Sequence, residues 1–380
     1  MRCVVIGAGA WGLPAAAELA ARGHEVVLLD RHGIANPLSS SPGPTRLWRL
    51  THPDAVRVRL AQRSVEAMER LAARSGRTVF LRRGLLWRDD VSLPSVVKAL
   101  AAEGVEHEVI SSHDVGRIFP GLRPDGRDGV WQEEAGPVLA AASMAAQAGL
   151  FEAAGGTTRI GAVVREVEPT PSGVRVRLEE QQVVDADVAV LAPGPGAGPL
   201  LAGLGVDVPL QPHLEQVVHF ADPNDRTAAD GLPCLFDGPR DDEPGLYAMP
   251  TPGVGYKVGL DRPLRDWAEG DDDRTPDATL VAATTERVRR DLTAVVPQPV
   301  EAQVCSWTDS PDGRFVIDRL PGGITFACGD SGEGFKFSAL MGLILADLAE
   351  GATPDADVAT FGLARFADGI PQPSGHVLGR

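Results

Sequence analysis

Six residues near the start, Gly7-Ala8-Gly9-Ala10-Trp11-Gly12, restrict what this chain can fold into more than any other feature. They follow a β-branched run, Arg2 to Ile6, which reads as a buried strand. They precede Leu13 to Arg22, which reads as a helix closed by Gly23. In a G-x-G-x-x-G of this setting Gly7 permits the tight turn, Gly9 lets the backbone approach a pyrophosphate, and Gly12 lets the helix pack closely. The helix N-terminus offers unpaired N–H groups and the positive end of its dipole to phosphates. A second strand, Glu25 to Leu29, runs into Asp30, 23 residues after Gly7. A carboxylate there can accept both ribose hydroxyls of an adenosine, and it would repel a 2′-phosphate, which disfavours NADP. Strand, turn, helix, strand and acid in this order predict a dinucleotide-binding βαβ unit.

The 380 residues suffice for one large or two interleaved domains. A formal net charge of -16 argues against nucleic acid and against anionic membrane surfaces as partners. The four cysteines, Cys3, Cys234, Cys305 and Cys328, are widely spaced and form no CxxC or Cys/His cluster, so no metal is expected. A reduced, cytoplasmic setting is the expectation. Arg2 and the apolar run after it raise the question of a signal peptide, but glycine punctuation fits strand and helix better. The longest uncharged run, Val188 to Val206, contains Pro193, Pro195 and Pro199 and is no membrane helix.

Further along, Asn36 to Thr45 reads as a loop, Asp54 to Arg74 and Leu93 to Glu103 as helices, and Val138 to Ala154 as a buried helix. Arg159 to Leu178 alternates like a hairpin about Pro171-Ser172-Gly173. Val208 to Gly259 reads mostly as strands. Thr275 to Val295 reads as a helix with Thr275 as its cap, and about Ser338 to Ala349 as another helix. The charged stretches Asp222 to Asp230, Asp237 to Glu243 and Asp261 to Asp273 read as solvated loops. The fold class expected is α/β (α+β overall). A Rossmann-like domain would be built from residues 1–80, 150–207 and 302–380. A mixed, mainly antiparallel domain, 81–149 and 208–301, would be inserted in it.

Asp185 to Gly194 is a second signature: a strand runs into the small-residue turn Ala192-Pro193-Gly194, whose backbone can lie against a cofactor. FAD proteins of the two-domain type commonly return to the nucleotide in this way; a plain strand-to-loop turn is the alternative. The chain then resembles the monomeric sarcosine oxidase and N-methyltryptophan oxidase family, within the D-amino-acid oxidase superfamily, and its covalent-flavin relatives acting on cyclic imino acids. The likeness rests on the fingerprint through Asp30, on Gly43-Pro44-Thr45-Arg46-Leu47-Trp48-Arg49, and on Tyr247 with Tyr256-Lys257-Val258-Gly259. It is strongest at Val304-Cys305-Ser306-Trp307-Thr308, Asp318 and Gly332-Glu333-Gly334-Phe335-Lys336-Phe337-Ser338.

The resemblance implies FAD, tethered by a thioether from Cys305, whose plain alternative is a small buried thiol. It implies an oxygen-activating ammonium at Lys257, where the alternative is a surface lysine. Arg49 and Lys336 match a pair that binds the substrate carboxylate, and each alone could equally be a salt-bridge partner. Tyr247 joins the catalytic set. Arg46 would lie close to the flavin ring. The flavin contacts implied are Gly7, Gly9, Trp11, Gly12, Asp30, Thr45, Arg46, Val164, Ala192 and Gly194, with Cys305, Gly332, Gly334, Phe335 and Lys336 from the later chain.

Four positions depart from the pattern: Pro42, Asp261 and Glu333 stand where the family has histidines, and Trp307 where it has tyrosine. Asp330 adds another acid in the same turn. Carboxylates beside an anion-binding pair should repel a small acid and suit a substrate with an extra amine, guanidine or hydroxyl group. They could instead point to solvent. The implied activity is oxidation of the C–N bond of a secondary, N-methyl or cyclic amino acid by oxygen, giving an imine and hydrogen peroxide. The alternatives are a flavin dehydrogenase with another acceptor and a non-catalytic flavin-binding subunit. The expected partners are a small amine or amino acid and oxygen, and the expected state is a monomer or weak homo-oligomer.

Overall fold

The computed structural model describes residues 1–240 and 243–369. The expectation for 302–380 therefore lies partly outside the described residues. A six-stranded sheet orders Val316–Leu320, Ile324–Cys328, Val188–Leu191, Arg2–Ile6, Glu25–Asp30 and Thr157–Ile160. All its pairings are parallel except that of Val316–Leu320 with Ile324–Cys328. Val4 and Val5 have no exposed surface, because layers cover both faces of the sheet. The helix Gly12–Ala21 packs between Ala140–Ala153 and Ser338–Ala349 on one side.

A nine-stranded mixed sheet stands beside it, centred on Gln211–Phe220, Gly255–Leu260, Leu246–Thr251 and Cys234–Asp237. Pro299–Asp309 pairs with Gln211–Phe220 in this second sheet, with Cys305 opposite Glu215. The boundary expected at residue 302 falls inside that strand. The fold class is the one expected, α/β with a Rossmann-type parallel sheet.

Several local expectations need correction. Arg159 belongs to Thr157–Ile160 of the parallel sheet, and the hairpin is only Val164–Thr170 with Gly173–Leu178. Val138 lies within the strand Gly136–Leu139, and the helix starts at Ala140. The later helix is Ala278–Asp291, capped by Asp277, whose carboxylate accepts from the Leu280 N–H at 2.8 Å. Thr275 lies outside it. Asp237 is 1% exposed rather than solvated. Its carboxylate meets Arg88 at 2.8 Å and Arg240 at 3.1 Å, and it also accepts from Arg127. Asp125 and Asp291 close this network through further arginine contacts.

Candidate active site

The carboxyl ends of the parallel strands Arg2–Ile6, Glu25–Asp30, Val188–Leu191 and Ile324–Cys328 open on one elongated cavity. This is where open α/β sheets take ligands. The nine-stranded sheet forms the facing wall with Glu215, Phe236, Tyr247, Met249 and Lys257.

At one end the Gly7 N–H donates to Leu29 O at 2.8 Å, turning the chain off the first strand. Gly7 has φ +99°, and a Cβ on it would lie 2.3 Å from Ala192 O. A Cβ on Gly12 would lie 1.9 Å from Gly7 O, so only glycine fits there. Asp30 accepts from the N–H groups of Ala8 at 2.8 Å and Gly33 at 2.6 Å, which fixes its carboxylate at the cavity rim. Gly9, Trp11, Ala192 and Gly194 line the same end.

The far end is built by several separate pieces of chain. Lys257 is buried on Gly255–Leu260, and its Nζ donates to Thr45 O at 2.9 Å. Burial, then repulsion from Arg46, pulls the Lys257 ammonium down to about 7. Arg46 donates to Ser40 O and Pro42 O at 3.0 and 2.6 Å and lies over the Phe335 ring. Cys305 lines the cavity from Pro299–Asp309, and burial raises its thiol pKa. Tyr247 donates its hydroxyl to Glu215. Burial, with Glu215 beside it, drives the phenol well above its usual range.

Arg49 and Lys336 do come together, but with a carboxylate between them. Glu333 Oε1 accepts from Arg49 Nη2 at 2.7 Å and from Lys336 Nζ at 2.5 Å. Glu333 is 7% exposed and lines the cavity, so it does not point to bulk solvent. Burial would raise its pKa, but Lys336 and Arg49 outweigh that and hold it far below the usual carboxylate range. Burial and Arg49 bring Lys336 down to about 7 despite Glu333. His52, fully buried beside Arg49, is held neutral by burial and by the two cations. Asp261 and Asp330 also line the cavity.

Gly332, Gly334, Phe335 and Lys336 reach the cavity from the turn before Ser338–Ala349. Trp11 Nε1 donates to Gly334 O at 2.9 Å and so ties this turn to the first glycine-rich one. Thr45 is one layer behind, with its hydroxyl paired to Thr251 at 2.7 Å. Gly12 acts by packing, and neither it nor Val164 lines the cavity; Val164 opens the hairpin strand beyond it. Sequence reasoning missed Glu215. Its signal is its place opposite Cys305, a register that only the paired strands reveal. Among the described residues no cluster is arranged to hold a metal, and no helix is long and apolar enough to cross a membrane.

Residues 2–348 match the family of FAD dependent oxidoreductases called DAO, and the chain belongs to that family. Peroxisomal sarcosine oxidase of Homo sapiens is 28% identical over 96% of this chain and 95% of the relative. Monomeric sarcosine oxidase of Streptomyces avermitilis is 29% identical over 96% of this chain and 97% of the relative. The solved open form of NikD, an unusual amino acid oxidase essential for nikkomycin biosynthesis, is similar with a TM-score of 0.82 and 25% identity. It matches 98% of this chain and 97% of that one. The residues fit FAD: a side-chain-free cradle at Gly7 and Gly9 and a fixed acid at Asp30 stand at one end. Arg46, Lys257 and Cys305 stand at the other.

Proposed function

We propose that this protein oxidises the C–N bond of a small secondary, N-methyl or cyclic amine or amino acid with oxygen, giving an imine and hydrogen peroxide. The supporting observation is one cavity running from Asp30 to Lys336 with Arg46, Lys257, Cys305 and Tyr247 along it. FAD would supply the two-electron chemistry, as it does across the family. The residues holding it would be Gly7, Gly9, Trp11, Asp30, Ala192, Gly194, Gly332, Gly334 and Phe335, with Gly12 and Thr45 packed behind and Cys305 as the covalent anchor.

The chain's own groups would bind and orient. Lys257 stands fixed by Thr45 O on the facing wall, where an ammonium would stabilise charge developing on oxygen. Arg46 would favour an anionic ring beside Phe335. Tyr247, held by Glu215, would bound the substrate space on the sheet side. No side-chain base is required, because a neutral amine brings its own lone pair.

Anaerobic mixing with a secondary or cyclic amine should bleach the flavin absorbance, and air should restore it with stoichiometric peroxide. A flavin that no amine of any kind bleaches would remove the reading. For the anchor, acid precipitation should carry the flavin down with the protein. Cys305→Ser should leave it in the supernatant.

A further inference from the structure

We infer, resting on the oxidase reading above, that the substrate carries no free carboxylate next to its amine, because Glu333 already occupies the cations that such a group would need. In place of the acid it presents a hydrogen-bond donor, as an amino amide does.

The contact is set by folding. The Glu333 N–H donates to Asp330 O at 2.8 Å and opens the turn Gly334–Phe337. This places Glu333 and Lys336 three residues apart with Oε1 and Nζ in contact. Arg49 is held by three contacts. One nitrogen donates to Thr51 O, another to Glu333, and the guanidinium lies 4.4 Å from the centre of the Trp87 ring. The side chains of Arg49, Glu333 and Lys336 are 6%, 6% and 5% exposed, so water does little to screen them.

A substrate carboxylate entering here would meet Glu333 at close range and have to share Arg49 and Lys336 with it. Asp261 on the same cavity adds a further negative charge. The second oxygen of Glu333, Oε2, has no hydrogen-bond partner among the described residues. An amide N–H or a hydroxyl from the substrate would pair with it, whereas a second carboxylate could not. The same geometry thus disfavours an acid and favours a donor.

The test uses the flavin-loaded enzyme and two independent readouts. First, acetate and benzoate are titrated while the visible flavin spectrum and the heat of binding are followed. The wild type should bind them weakly. Glu333→Gln should bind them about tenfold tighter or more, because Arg49 and Lys336 lose their internal counter-charge. Glu333→Ala serves the same purpose should the glutamine variant fail to fold. Second, anaerobic flavin reduction is compared within matched pairs, sarcosine against sarcosinamide and pipecolate against pipecolamide, in both enantiomers. The wild type should favour the amide by about tenfold or more, and Glu333→Gln should narrow or reverse that ratio. Wild-type binding of acetate and benzoate as tight as that of the variants would overturn the inference. So would acids outrunning their amides, and in that case the oxidase reading would stand. The binding titration is decisive even if no amine tested reduces the flavin.

Discussion

Two buried charge clusters stand a strand apart and do different things. Trp87 and Arg88 are neighbours on Leu85–Arg88. Trp87 packs under the guanidinium of Arg49 beside the cavity. Arg88 joins Asp125 and Asp237 at 2.9 and 2.8 Å. In the Asp237 network each acid is shared by several arginines from different segments, and none of these residues lines the cavity. In the Arg49–Glu333–Lys336 cluster one carboxylate serves two cations, and all three open on the cavity. Closure on itself makes the first cluster a brace. Access from the cavity would let the second act as a recognition element.

Substitutions can break that contrast. The largest effect should come from Asp237→Asn, which leaves Arg88 and Arg127 buried beside a neutral group. Removing one partner of a buried network costs about 3–5 kcal/mol. Denaturant melts should show that loss, while the flavin spectrum of the folded fraction stays unchanged. A changed spectrum would mean that the brace and the cavity are one unit.

Lys257→Met should slow flavin reoxidation by oxygen about 100-fold. Stopped-flow reduction by substrate should change by less than about threefold. The same variant tests the burial of the ammonium. Lys257 titrates near 7 in the fold and near its ordinary, higher value when unfolded. Below pH 7 both states hold the proton, so the penalty for burying charge is complete. Between pH 7 and pH 10 the unfolded state binds more protons, so wild-type stability rises with pH. The Met variant should therefore melt several degrees above wild type at pH 7, with the gap closing by pH 10.

Arg175→Ala should be the smallest perturbation. Arg175 meets Asp185 at 2.8 Å on an exposed hairpin, with the two side chains 41% and 51% exposed. No resolvable shift of the same melts is expected. A larger loss would show that exposed pairs matter here as much as enclosed ones.

The sequence was most legible where neighbours in the chain are neighbours in space. The fingerprint from Arg2 to Asp30 is contiguous, so its turn, helix and acid could all be placed. The helix Ser338–Ala349 was equally plain because apolar residues fill it. Contacts between distant segments were not legible. Asp237 looked like loop because its four arginine partners come from other parts of the chain or from a turn beside it. Glu215 was passed over because its relation to Cys305 and Tyr247 depends on strand register. Arg49 and Lys336 were foreseen as a pair, but Glu333 between them could be placed only with coordinates, since a glutamate in a turn can face either way.

The order of the parallel sheet also governs how this protein is made. Arg2–Ile6 pairs with Val188–Leu191, which pairs in turn with Ile324–Cys328. A ribosome releases the first of these strands long before the third exists. The glycine-rich unit gains its second neighbour only with Val188–Leu191, and the far edge of that strand stays uncovered until Ile324–Cys328 has emerged. Parallel pairings between segments so far apart in sequence make closure of this sheet a late event, with the strand Val188–Leu191 waiting for its outer neighbour.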